Sequence, residues 1–302
     1  MTLIAALLVL ASAFVHASWN LIGRRARPVA AYYLVASLVG AAVTAPFAIV
    51  WWSTMLQMPA ATWLLLPLAG LFQGLYFTGL AGAYRAGDMA VAYPVARALP
   101  VLLVPAVSAL LGQGEPVRVI GLLGMVAVTV GILTLPQPSL RRFAWASFRE
   151  RWLPYALLAG VGTTGYSIVD DAALTAFRAA VTDGSGAVRV PLVYAMFESL
   201  SSAAALAILA LVVSGPRRAI TDLRKTPLGG AAISGIGIIA AYALVLVAYG
   251  FARNVSYVVA FRQISLPVGV FMAMAILREP VTGPRIAGTV VLLAGLVLVS
   301  LG

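Results

Sequence analysis

Apolar runs of about twenty residues recur along this chain, separated by short stretches that hold proline, glycine or arginine. A helix that crosses a bilayer needs about 20 apolar residues. Ten runs fit, at 2–22, 29–51, 62–84, 89–111, 117–135, 153–170, 190–213, 228–250, 254–277 and 282–301. None alternates apolar and polar residues in the manner of a membrane β-strand. The pattern therefore predicts an all-α integral membrane protein with ten transmembrane helices. The first run passes a signal-peptidase-like Ala11-Ser12-Ala13 and continues to Ile22 with no Lys or Arg before it, so it is read as a retained span.

A second pattern lies on top of the first. Tyr93 and Tyr257, Glu115 and Glu279, Pro116 and Pro280, Gly124 and Gly288, and Gly131 and Gly295 are each 164 positions apart. Identities at one constant offset indicate a duplicated unit. The halves are 1–135 and 153–302, joined by a basic linker at 136–152. Five spans per half turn the second copy over, giving two inverted repeats around a central cavity. Trp19 and Tyr166 sit in similar small-residue settings but only 147 apart. The shortfall is assigned to a long loop from Asp171 to Arg189, with a turn at Asp183–Gly186.

Composition sharpens this. The 302 residues are 62% hydrophobic and 10% charged, with mean hydropathy +1.02; a soluble domain carries about 25% charged residues. The net charge of +11 would suggest nucleic acid in a soluble protein. Here 14 of the 20 Lys and Arg fall at the loops after spans one, three, five, seven and nine, which predicts those loops cytoplasmic, both termini outside, and lipid headgroups as their contacts. No nucleic-acid partner is expected. Cysteine is absent, which excludes thiol chemistry, and a single histidine leaves little for catalysis. No H-E-x-x-H, Walker loop, dinucleotide fingerprint or G-x-S-x-G elbow occurs, so no enzyme, metal or cofactor is expected.

Polar side chains inside apolar spans are functional candidates by default. His16, Trp19 and Asn20 share one face of the first span, where they either line a cavity or bond across helices. Gln73, Tyr76 and Tyr84 share a face of the third, flanked by Phe72 and Phe77, and Tyr242 and Tyr249 lie seven apart in the eighth. Rings with one polar tip suit an amphipathic solute. Tyr84 and Tyr249 lie near span ends and fit an interfacial belt equally well. Tyr93 and Arg97 stand one turn apart in the fourth span beside Pro94, Pro100 and Pro105, which predict a broken helix lining a cavity. Arg262 holds the matching place in the ninth, but two more residues separate it from its proline, Pro267. Arg97 either clamps an anion or pairs with a buried acid, and Glu198 is a better partner for it than Asp88 or Glu115. Asp170-Asp171 reads as a solvated helix end, Glu115-Pro116 and Glu279-Pro280 as helix starts, and the paired glycines as close helix packing that also offers a homodimer contact.

The motifs His16-Ala-Ser-Trp-Asn20, Ala83-Tyr-Arg-Ala-Gly-Asp88, Tyr93-Pro-Val-Ala-Arg-Ala-Leu-Pro100 and Glu115-Pro116 before a glycine-spaced helix resemble the drug/metabolite transporter superfamily, specifically its ten-helix EamA-type exporters. The resemblance covers essentially the whole chain. It implies a multi-pass protein of the cell (inner) membrane and a cavity lined by spans one, three, four, six, eight and nine. It also implies export of amino acids or related metabolites, aromatic ones included.

The expected function is thus secondary export of small amphipathic metabolites by alternating access. His16, Trp19, Asn20, Gln73, Tyr76, Tyr93, Arg97, Tyr166, Tyr242 and Arg262 are the solute-binding candidates, and His16 and Glu198 the proton-coupling ones. A phosphate- or nucleotide-linked antiporter, or a lipid-carrier flippase, is the alternative; it calls for a cluster of buried basic residues, and no lysine lies in any span.

Overall fold

The computed structural model describes residues 2–23, 29–86, 89–140, 150–277 and 282–302, without the side chains of 19–23, 89–91, 273 and 277. Among the described residues every regular element is helical. In chain order these are α1 (Leu3–Gly23), α2 (Ala30–Val50), a short α3 (Trp52–Leu56), α4 (Ala60–Ala86), α5 (Met89–Leu110), α6 (Val119–Thr134), α7 (Leu153–Ala180), α8 (Gly186–Ser214), a surface α9 (Pro216–Arg224), α10 (Leu228–Tyr249), α11 (Val255–Phe261), α12 (Ser265–Leu277) and α13 (Gly283–Leu301). A 3-10 turn, Arg262–Ile264, joins α11 to α12.

Seven of the described spans are long and apolar enough to cross a membrane: α2, α4, α5, α8, α10, the α11–α12 pair and α13. Shorter apolar stretches run over Leu3–Ser18 and Val119–Thr134. The distribution of side chains fits lipid. Leu64, Ile49 and Val212 are more than 70% exposed, while Arg97, Asp170, Glu198 and Gln263 are buried. Water would favour the reverse.

Glycine sets the closest helix contacts. α6 packs on α13 so tightly that a Cβ on Gly124 would fall 2.7 Å from the carbonyl oxygen of Gly295, and one on Gly131 2.8 Å from that of Gly288. These glycines are consumed inside the chain, so they are not the surface for a second copy that the sequence suggested. α4 and α7 approach in the same manner: a Cβ on Gly162 would lie 2.5 Å from the Tyr76 nitrogen. That approach sets Tyr76 and Tyr166 edge to face at 5.9 Å.

Three expectations are corrected. The loop assigned to Asp171–Arg189 is mostly helix. α7 runs on to Ala180 and α8 starts at Gly186, so only 181–185 connect them, turning at Gly184 with φ 75°. Glu115-Pro116 does not start a helix. α6 begins at Val119, and Glu115 faces Arg253 across 3.9 Å in a loop that the Asn254 side chain holds through the carbonyls of Gln113 and Glu115. The proline-rich α5 stays continuous, and the break falls instead at Arg262–Ile264. Two extra residues before Pro267 let α12 start at Ser265, placing that proline in a first turn, where its missing N–H has no intrahelical acceptor to lose. Arg24, Arg25, Arg27, Asp88, Glu279-Pro280 and 141–149 lie outside the described residues.

Candidate functional site

Six of the spans meet around one cavity. α1 brings Val9, Ser12, Ala13 and His16, and α4 brings Gln73, Tyr76 and Phe77. Arg97 enters from α5, Tyr166 from α7, and Tyr242 from α10. The α11–α12 break supplies Arg262 and Ser265. These are the spans numbered one, three, four, six, eight and nine in the sequence reading. The empty space among their side chains, counting its opening, is about 550 Å³.

Each wall has a structural cause. Ser12 donates to the Ala241 carbonyl at 2.7 Å and ties α1 to α10. The glycine contact between α4 and α7 brings together a chain of rings: Tyr76 meets Tyr166, and Tyr166 meets Tyr242 edge to face at 5.6 Å. His16 Nε2 and the Tyr93 hydroxyl share a hydrogen bond of 2.8 Å across α1 and α5.

The arginines give the cavity its charge. Arg97, 5% exposed, donates through Nη2 to the carbonyl oxygen of Arg262 at 3.1 Å and to Ser265 Oγ at 2.9 Å. Ser265 in turn donates to the same carbonyl at 2.9 Å. The turn between α11 and α12 thus offers main-chain and hydroxyl oxygen to a guanidinium from α5. Arg97 Nε has no hydrogen-bond partner. The Arg97 guanidinium lies 5.8 Å from the Tyr93 ring centroid, and that of Arg262 lies 5.5 Å from the Tyr242 ring. Among the described residues no carboxylate stands within ion-pair distance of either. Of the two readings of Arg97, the pairing with Glu198 or Glu115 is therefore corrected: neutral oxygens and the Tyr93 ring hold it.

The remaining candidates fall into place around this core. His16, Gln73, Tyr76, Arg97, Tyr166, Tyr242 and Arg262 line the cavity, and Tyr93 stands behind His16. The side chains of Trp19 and Asn20 lie outside the described residues. Glu198 is fully buried in a smaller adjoining space with Gln73, Phe77, Ser199 and Tyr242, and its Oε1 has no hydrogen-bond partner. Tyr249, which fitted a belt or the site equally well, is buried, and Tyr84 packs on Tyr93 with ring centroids 6.5 Å apart.

Asp170 is the residue that sequence reasoning misplaced. It is not a solvated helix end but lies fully buried within α7. Tyr194 of α8 donates to its Oδ1 at 2.6 Å, and Tyr242 of α10 donates to its Oδ2. The signal was present in the sequence. Ala172-Ala173-Leu174 and Phe177 continue the apolar pattern past the acids, so the helix had no reason to stop.

No family model and no curated protein matches the chain. Among solved structures 27 chains match. One crystal structure of a protein aligns over 98% of this chain and 96% of its own, with a TM-score of 0.70 and 19% identity. The arrangement of helices described here is therefore one that another solved protein shares over nearly its whole length.

Proposed function

We propose that the chain is a secondary transporter of the ten-helix drug/metabolite type, moving small amphipathic metabolites that carry an anionic group, aromatic amino acids foremost. One observation carries this reading: buried Arg97 and half-buried Arg262 face a single ring-lined cavity, and no described carboxylate lies within ion-pair distance of either. A guanidinium at that depth is costly and is kept where it serves a solute or a partner. The rings of Tyr76, Tyr166 and Tyr242 suit the apolar body of such a solute, and the arginines suit its carboxylate.

The packing supports two inverted five-helix repeats. α4 rests on α7 as α10 rests on α1, α4 on α8 as α10 on α2, and α5 on α7 as α12 on α1. α2 meets α8, and α6 meets α13, at the shared axis that such a repeat requires. With α1, α6 and α7 added to the seven longer apolar spans, the count is ten. The cavity then lies between the halves, where rocking of one against the other would open it to each side in turn.

Exchange of labelled L-tryptophan in proteoliposomes tests the reading. Competition by unlabelled aromatic amino acids, and weaker competition by the decarboxylated amines, supports it. Absence of exchange with every carboxylate-bearing competitor tried overturns it. The two arginines in one cavity also favour a second reading, a phosphate-bearing solute; stronger competition by phosphate monoesters than by carboxylates would select that one.

A further inference from the structure

Outside the arginine-lined wall, the molecule buries two acids that the solute reading does not use. Asp170 in α7 holds two phenols from two other helices, Tyr194 and Tyr242. Glu198 is 1% exposed, one turn beyond Tyr194 on α8, and its Oε1 has no partner. Tyr242 connects them with the cavity. Its ring lines the solute cavity and the space around Glu198, its hydroxyl bonds Asp170, and the Arg262 guanidinium rests over its face.

We infer that Asp170, with Glu198 beside it, is the proton-binding site of this carrier, and that Tyr242 transmits its state to the solute cavity. The inference rests on the transport reading above. An ionised aspartate accepts hydrogen bonds at both oxygens, which is the arrangement seen with Tyr194 and Tyr242. A proton added at Oδ2 forms an O–H bond there, and that oxygen becomes a donor facing a donor. The Tyr242 hydroxyl must then turn to accept, or release Asp170 and find another partner. Glu198 Oε1 is an acceptor with none of its own. Either change moves a residue on which Arg262 leans, so the proton count at Asp170 alters the wall that meets the solute.

The groups around Asp170 limit what else could titrate there. α8 contributes Tyr194 and Glu198, α10 contributes Tyr242 and Tyr249, the helix break contributes Arg262, and α7 itself contributes Asp171 and Tyr166. Among the described residues there is no group of three or more metal-ligating side chains, so the site is read as one for a proton rather than a multivalent ion.

The test needs no solute. Difference infrared spectra of the purified protein in liposomes, taken between alkaline and acid buffer, should gain a protonated-carboxyl band. Asp170→Asn should remove a component of it, and Tyr242→Phe should keep that component but shift its frequency, because one hydrogen bond is gone. Glu198→Gln, which leaves both phenol contacts in place, should shift the midpoint of the band and covers the case in which Asp170→Asn does not fold. Wild-type spectra and midpoints in Asp170→Asn, or in Tyr242→Phe and Glu198→Gln together, would overturn the inference. In a second arm, a pH gradient should alter L-tryptophan exchange in wild type and not in Asp170→Asn. Wild-type exchange that ignores the gradient overturns the proton site alone, whereas failure of exchange with an intact infrared result overturns the solute reading alone.

Discussion

Arg97 reaches from α5 to the main chain of Arg262, with Nη2 3.1 Å from the carbonyl oxygen. The two arginines that stood out in the sequence are therefore one device. The 3-10 turn between α11 and α12 presents the oxygen, and the unbroken α5 carries the cation to it.

Replacing Arg97 by Ala should weaken carboxylate-bearing solutes more than neutral analogues. A charge-assisted hydrogen bond contributes about 1.5–3 kcal/mol, so a loss of roughly tenfold to a hundredfold is expected. Competition curves for L-tryptophan and its decarboxylated amine measure it. An equal loss for both would make Arg97 structural.

Ser265 accepts from Arg97 and donates to the Arg262 carbonyl. Ser265→Ala should therefore loosen the guanidinium, at a cost of about 1 kcal/mol, or roughly fivefold in affinity for the carboxylate. Ser265→Thr should restore it. An alanine variant that binds as wild type would show that the hydroxyl does not position Arg97.

Stability should be sensitive along the α6–α13 seam. An added methyl at Gly131 meets the Leu292 nitrogen at 2.6 Å and the Gly288 oxygen at 2.8 Å, both backbone atoms. Gly131→Ala is expected to destabilise by about 1–3 kcal/mol through overpacking. At Gly229 a methyl meets nothing within 4 Å, so Gly229→Ala should be neutral or better. Denaturation of the two variants in detergent compares them; equal midpoints would contradict the packing.

The α7–α8 turn has a pH dependence of definite sign. The Ser185 hydroxyl and then its N–H donate to Asp183, and they hold the carboxyl below its usual value. A depressed folded value means the turn is supported above the ordinary carboxylate pKa of about 3.9 and loses that support as pH falls through the lower folded value. Ser185→Ala should move the Asp183 titration upward in a carbon-13 NMR experiment. An unchanged titration would remove the hydroxyl from the account.

The apolar runs made the helices legible, because their length and lack of charge leave few alternatives in lipid, and the glycine pairs pointed to close helix packing, though not to which helices meet. What escaped was tertiary in origin. Asp170 looked like a helix end because two acids closed an apolar run, and the phenols that help make its burial tolerable, Tyr194 and Tyr242, lie 24 and 72 positions away. The prolines of α5 looked like the break, yet the break came where two extra residues let Pro267 start a new helix. Arg97 stood open between an anion and a buried acid; the oxygens that hold it, the Arg262 carbonyl and Ser265 Oγ, lie 165 and 168 positions away and come to it only through the fold.

The chain has no cysteine, which makes one measurement especially direct. Ala241 is buried in the wall of the cavity between Tyr242 and the α1 contact. A single Ala241→Cys variant in sealed proteoliposomes can be exposed to a membrane-impermeant thiol reagent from either face in turn. Labelling from both faces, slowed from both by L-tryptophan, is expected. Labelling from one face only, or at a rate that no carboxylate-bearing aromatic solute changes, would contradict a central cavity with alternating access.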